Sequence, residues 1–525
     1  MFLFIVWSLI LLTYFLVQTA FGAKIISEQL SKLSSYTISI GHVHHSFSNV
    51  YEVVLDDVVI SDGQQQIANI PKLVIGLDKN DLWQLNHFNY ITVIDGTLNE
   101  TKLENYNFSA NFLKFINSTA TVSVNDGADK IKFQQANGGI KPFSLSNTEK
   151  YQFEFTLNKF QFNEFDINSV VIEGFHRDGV TTITNLGGNI ENGFFISKLK
   201  ILADKSWDIE QLKLNNIHYE SHINNFWEAY ATYLPTFTVH QLSIFESSLQ
   251  LPSLLVEKGN LEAKNIHFNK EGYFDQSAVT FSADNVVWYD NLFSSVLLQL
   301  KLDENNIEIQ KAIATWNKGN INFKGSWHND VLKLDQLTLA GVIYQLPKPF
   351  EHFNLPEIFS RIEIGKLSVL PSMILNVDPN YPFTFTNCEG TGSNITIVKG
   401  KNLGLESGKL SFMAERGSVN SVEINHPDLV IDYDSDNHNS FNFNGLVSNG
   451  VLEIKANLNS TQTEFSSFVL KASNISSQLL TDLKLVKDVP EVTNYTAELY
   501  GKFAPFSLIG AIIFNNTNFG IKPDN

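Results

Sequence analysis

The chain has 525 residues, of which 43% are apolar and 18% charged, with 30 glycines and 14 prolines; this is globular composition and excludes a disordered or low-complexity fibre. Its 37 basic and 55 acidic side chains leave a net charge of −18, which argues against nucleic acid or an anionic membrane surface as the main partner. A single cysteine, Cys388, can close no intramolecular disulfide and build no cysteine-based zinc site, so burial alone must hold the fold.

Residues 1–23 carry no charged side chain, and Phe2 to Val17 is apolar apart from Ser8 and Thr13. This is the length of one membrane-spanning helix. Ala20-Phe21-Gly22 offers a small-x-small cleavage site, so a cleaved signal peptide is the rival reading. Against it, the stretch lacks a basic n-region and is long for a signal core. We therefore expect a retained transmembrane signal-anchor over 1–23, with the body beyond it translocated. The apolar run Phe506 to Phe514 has nine residues, too few to cross a bilayer as a helix. The expectation is a single-pass protein.

The body reads as strands. Period-two alternation recurs at Ile38/Ile40, Leu298/Leu300/Leu302, Ile321/Phe323, Leu332/Leu334 and Leu452/Ile454, the pattern of half-buried strands. Asp62-Gly63, Asp95-Gly96, Asn192-Gly193 and Asn449-Gly450 are hairpin or tight-turn signals. Helical spacing is confined to Ile26, Leu30 and Leu33, a segment from Phe226 to Tyr233, another around Glu357, and Leu479, Leu483 and Val486. So few helices cannot cover a large sheet.

An internal repeat organises the body. Ile209 to Ile244 aligns without a gap on Leu334 to Val369, 125 residues later, pairing Leu212 with Leu337, Leu214 with Leu339 and Leu242 with Leu367. Each copy reads strand, polar turn, short helix, strand. The expected domains are an N-terminal β region over 24–245 and a C-terminal β-repeat region over 246–525, an array of stacked similar units.

A family resemblance runs nearly the full length. Val17-Gln-Thr-Ala-Phe-Gly-Ala23, Ile40-Gly41, His45-Ser-Phe47-Ser48 and Leu55-Asp-Asp-Val58 open it. Asp95-Gly-Thr-Leu-Asn99, Thr184-Asn-Leu-Gly187, Leu339-Ala-Gly341, Tyr344-Gln-Leu-Pro-Lys348 and Val377-Asp-Pro-Asn-Tyr-Pro382 continue it. On these segments the chain resembles the AsmA-like envelope proteins of Gram-negative bacteria, of the YicH type. The resemblance implies a bacterial inner-membrane anchor, a periplasmic body of curved β-sheet, and a part in outer-membrane assembly or lipid homeostasis.

The expected architecture is thus mainly β: a transmembrane helix followed by an elongated, curved, repeat-like antiparallel sheet forming a gutter or groove, with a few short helices. Strands with one apolar face and no helical cover must close on each other or stay lined for an apolar ligand, and 41 phenylalanines make such faces bulky. Phe195, Ile321, Phe323, Leu452 and Ile454 are the candidate groove residues. The expected ligand is a phospholipid or other acyl lipid, with an envelope protein as a further partner and no nucleic acid. A scaffold that pairs its strand edges with envelope partners is the alternative.

Catalytic, cofactor and metal motifs fail on inspection. His42, His44 and His45 lack a completing carboxylate or cysteine at ligand spacing. His218 and His222 lack the glutamate of H-E-x-x-H. Asp432, Asp434 and Asp436 start like a calcium loop, but Asn437 stands at its glycine and Phe443 at its glutamate position. Gly404 to Lys409 is too short for a phosphate loop. The eight Asn-x-Ser/Thr triplets, at Asn99, Asn107, Asn117, Asn394, Asn459, Asn474, Asn494 and Asn515, are taken as a product of asparagine-rich composition. No enzyme activity and no cofactor are expected.

Overall fold

The computed structural model describes the chain except residues 1, 34–35, 47, 64, 79–85, 100–108, 125–128, 145–148, 163–164, 191, 225–230, 232–233, 269–273, 276, 304–305, 346–357, 380–381, 399–404, 435–437, 459–463, 486–488, 504–505, 515–516 and 522–525. The expected segments Phe226 to Tyr233 and around Glu357 fall largely among those outside the description.

Two helices precede the strands, α1 (Phe2–Val17) and α2 (Ala20–Leu33), bent by 80°. The expected transmembrane segment over 1–23 is thus divided between α1 and the start of α2. Thr19 ends one helix and starts the next: its hydroxyl donates to the Leu16 carbonyl at 2.6 Å and accepts the Gly22 N–H at 3.3 Å, as an N-cap does. No single helix among the described residues is long and apolar enough to cross a membrane, although the bent pair meets that length and composition together. Of the expected helical face Ile26, Leu30 and Leu33, Ile26 packs with Ala23 on Ile40, Val43 and Leu55, whereas Leu30 is exposed and the side chain of Leu33 lies outside the described residues.

Nearly everything else described is strand. The chain divides into two compact units, one of residues 1–219, 227–248 and 264–272, the other of 220–226, 249–263 and 273–525. In both, most neighbours pair antiparallel. Tight turns at Asp62-Gly63, Asn192-Gly193 and Asn449-Gly450 close hairpins, pairing Asp62 with Gln65, Ile190 with Gly193 and Val447 with Gly450.

The sheet is mixed, however, where a wholly antiparallel one was expected. Parallel pairs join His87–Ile94 to Ser109–Val124 and Trp207–Asn215 to Phe237–Leu251 in the first unit. A third joins Val331–Ala340 to Arg361–Asn376 in the second. The connections are too long for a hairpin and return the chain in the same direction.

Two of these crossovers are the segments that aligned in sequence. Ile209 pairs with Val239 and Leu214 with Ile244; Leu334 pairs with Ile364 and Leu339 with Val369, with an identical offset in both copies. The third crossover is built alike without matching in spacing. Asp95, Asn216 and Gly341 each take a left-handed conformation after the first strand. Their amides bond to the carbonyls of Ile116, Phe245 and Pro371, while Thr119, Ser248 and Met373 donate to Gly96, Ile217 and Val342. Asp95-Gly96 is therefore a kink inside a crossover unit and not a hairpin turn.

Bulges break the register repeatedly, with left-handed residues at Asn117, Ser169, Ser295, Asn394 and His426. A bulge bends its strand and raises local twist. Asparagine adopts the left-handed region more readily than most residues, so part of the chain's asparagine has a structural use.

The apolar face as candidate functional site

Cross-strand pairing decides which side chains share a face. In the first unit an unbroken ladder runs His45, Val53, Ile75, Ile91, Leu113, Ile140, Phe153, Gly174, Ile183, Leu199, Ile209, Val239. A second, two residues along, starts at Val43, Leu55, Leu73, Val93 and Phe115 and ends at Ser197, Leu212 and Leu242. The ladder between them faces the other way and carries Thr92, Lys114, Glu154 and Glu173.

The second unit repeats this division. Ile321, Leu339, Val369, Gly390, Phe412, Leu429, Phe443 and Ile454 form one ladder. Phe323, Leu337, Leu367, Gly392, Leu410, Ile431, Phe441 and Ala456 form the next on the same face. One residue beyond the second, facing the other way, runs Lys324, Gln336, Lys366, Ser393, Lys409, Asp432, Ser440, Asn457, tied by the Lys409–Asp432 ion pair at 3.0 Å. Because the side-chain period is two, a one-residue slip would turn every apolar rung to the polar side, so this pattern pins the register. Gly390 leaves room for the Phe412 ring: a Cβ there would stand 2.3 Å from it.

Burial along the face is uneven. Leu334, Ile364, Leu367, Val369 and Ile395 are buried, while Phe323, Leu332, Leu337, Leu339, Ile362, Ile397 and Leu405 around them are only half-buried. Near the C-terminus the face is covered. Helix α3 (Gln478–Asp482) sets Leu479 and Leu480 on a core of Leu452, Leu470, Ala472, Tyr495, Ala497 and Ile512. The Asn420 amide nitrogen ties down the Leu483 carbonyl at 3.1 Å, and the Ser477 hydroxyl donates to Pro490 at 2.6 Å. The Tyr495 hydroxyl is buried without a hydrogen-bond partner, and burial pushes its phenol well above the ordinary tyrosine range.

At the start of the first unit the helices enclose an open cavity of about 740 Å³, lined by Val6, Leu9, Tyr14 and Val17 of α1, Ile26 of α2, and Val43, His45 and Val53 of the first rungs. Tyr14 is one polar point of that wall, which Thr13 and Gln18 also line. Its hydroxyl lies 2.9 Å from the His45 carbonyl and 3.1 Å from His45 Nδ1. His45 Nε2 faces the Val50 carbonyl at 3.1 Å, which can only accept, so Nε2 carries a proton.

The five residues expected to line a groove all belong to strands, but their settings differ. Phe195 pairs with Gly188 and Leu214 and is half-buried on the apolar face. Ile321 and Phe323 are half-buried on theirs, and Ile454 shares Ile321's ladder. Leu452, at 1% exposure, sits in the core beneath α3. The cavity at Tyr14 and His45 escaped the sequence reading, since its walls come from segments that alternation cannot bring together.

His44 bonds Asp56 at 2.7 Å and stacks on His42. His218 lies in the strand His218–Glu220 and His222 beyond it, so their helical spacing is not realised. Asp432 and Asp434 end the strand Val422–Asp434; residues 435–437 of the calcium-like stretch lie outside the described residues.

No family model matches the chain. It is 26% identical over 481 residues, 89% of its length and 84% of the relative's, to the AsmA family protein YicH of Escherichia coli (strain K12). Over most of its length the chain is thus similar to an AsmA family protein of the YicH type. With 89% of the chain covered, the match extends over most of both units. An AsmA-like chain with a two-faced sheet therefore presents its ordered apolar ladders, and no cluster of chemistry-bearing side chains, as its most extended feature among the described residues.

Proposed function

We propose that this AsmA-like chain is an envelope protein held at the bacterial inner membrane by α1 and α2, with its body in the periplasm, and that it handles lipid without chemistry. Acyl chains lie along the apolar ladders while headgroups stay in water, and the protein so contributes to lipid homeostasis and outer-membrane assembly. The observation that carries this reading is the continuity of the ladders: aliphatic and aromatic rungs, some buried and others half-buried, on one face, with a polar ladder one residue away. Each methylene moved from water to such a face contributes about 0.8 kcal/mol, so an acyl chain is held without a polar anchor. The kinks and bulges bend the strands, which favours a gutter over a flat sheet.

Native mass spectrometry of the full chain, released from membranes in a detergent that is then stripped in the gas phase, tests the reading. Phospholipid retained at defined stoichiometry supports it. A folded chain free of lipid under conditions that preserve lipid on a control carrier overturns it.

A further inference from the structure

We infer that the cavity between α1 and the first rungs is the entry site through which one acyl chain of a bilayer phospholipid reaches the apolar face of the first unit. The inference rests on the lipid-handling reading above and adds a place and a latch to it. Three observations converge. The cavity, about 740 Å³, is lined mainly by aliphatic side chains, with Thr13, Tyr14, Gln18 and His45 among them, and its size lies within the range of pockets that enclose small organic ligands. Its floor is the beginning of the ladders themselves: His45 and Val53 head one, Val43 the other. Its outer wall is α1, the most apolar segment of the chain, whose Trp7, Leu9, Leu12 and Phe15 are exposed. A chain leaving the apolar surroundings of α1 thus meets Val53 and continues onto Ile75 and Ile91 with no polar rung between.

The latch is Tyr14. Its hydroxyl, bonded to His45, fixes α1 across the mouth. The contact to His45 holds only while α1 stays docked, so displacement of α1 by an acyl chain must break it. Tyr14→Phe keeps the ring and removes the bond.

The test uses the full chain in membranes with a benzophenone amino acid at Val53, at the mouth, or at Phe195, far along the face of the same unit. Ultraviolet adducts are identified by mass. Phospholipid adducts at both positions are expected. Adducts at Phe195 with none at Val53 overturn the entry site and leave the groove standing; adducts at Val53 alone overturn the entry role; adducts at neither withdraw the lipid reading itself. With the probe at Phe195, Val53→Asp is expected to cut the adduct roughly tenfold, and an unchanged yield in a chain with native protease resistance overturns the proposal. Should Val53→Asp not fold, the two probes in the otherwise native chain still decide it. Tyr14→Phe is expected to speed adduct formation at Phe195; an unchanged rate removes the latch.

Discussion

Ile321 and Ile454, 133 residues apart in the chain, stand on one cross-strand ladder, joined through Leu339, Val369, Gly390, Phe412, Leu429 and Phe443. Neighbouring positions on the same strand face opposite ways, so adjacent substitutions separate the two faces. Ile321→Asp is expected to destabilise the protein by about 2–4 kcal/mol, through lost burial and a charge set among apolar rungs, and to reduce bound lipid. Asn322→Asp, on the exposed side, is expected to stay within about 0.5 kcal/mol and to keep its lipid. Urea unfolding and lipid quantification on the two variants check this; equal losses would contradict the division of faces.

The crossover units make a second prediction. Ser247 Oγ accepts the Ile217 amide at 3.1 Å and Ser372 Oγ the Val342 amide at 3.2 Å, and each serine also donates to the carbonyl two residues before it. Ser118 makes the same backward bond, to Ile116 at 3.1 Å. Removing the acceptor leaves a backbone donor unsatisfied, which costs about 1–3 kcal/mol when buried. Ser372 is buried and Ser247 half-buried, so Ser372→Ala is expected to be the more damaging. Hydrogen exchange at the Val342 and Ile217 amides should accelerate in the respective variants and nowhere else to the same degree.

Tyr495 allows a pH test with a definite sign. Its phenol is raised above its ordinary value by burial, so the folded state holds this proton more tightly than the unfolded chain. The stability it contributes is full below the unfolded value of about 10 and is lost as pH rises towards the folded one. Tyr495→Phe removes a buried hydroxyl with no partner and is expected to be neutral or stabilising at pH 7. Above about pH 10 the wild type should fall behind the variant; parallel pH profiles would contradict the assignment.

Cys388 should be silent to thiol reagents in the native state. It is 4% exposed and its thiol is raised by desolvation, and only the thiolate attacks. Maleimide labelling should be slow at neutral pH, quicken above the ordinary thiol range, and become fast on unfolding. Rapid native labelling would show that the strand Phe383–Val398 opens locally.

Much of the two-faced sheet could be read from residues. Alternation at Leu298/Leu300/Leu302 and Ile321/Phe323 marked strands and their apolar side because pleating makes period two a local property. Asn192-Gly193 and Asn449-Gly450 marked hairpins for the same local reason. The gapless match of Ile209–Ile244 with Leu334–Val369 was visible because both crossovers keep one offset. The third escaped because its connection is shorter and shifts the alignment, although Asp95 repeats the left-handed kink of Asn216 and Gly341. Direction was not legible either: the alternation of a parallel strand facing one core equals that of an antiparallel one. Nor was the bend at Thr19, since hydropathy averages over a single capping residue. Leu452 and Ile321 looked alike in pattern, and only the fold of α3 over one of them makes it core.

The most direct test of the central claim compares the two faces in one experiment. A benzophenone amino acid is placed at Phe323, on the apolar ladder, or at Lys324, on the polar ladder beside it, in the full chain in living cells, and adducts are identified by mass. Phospholipid adducts at Phe323 and none above background at Lys324 are the predicted result. Equal adducts at both, or none at Phe323 in a folded chain, would contradict the account.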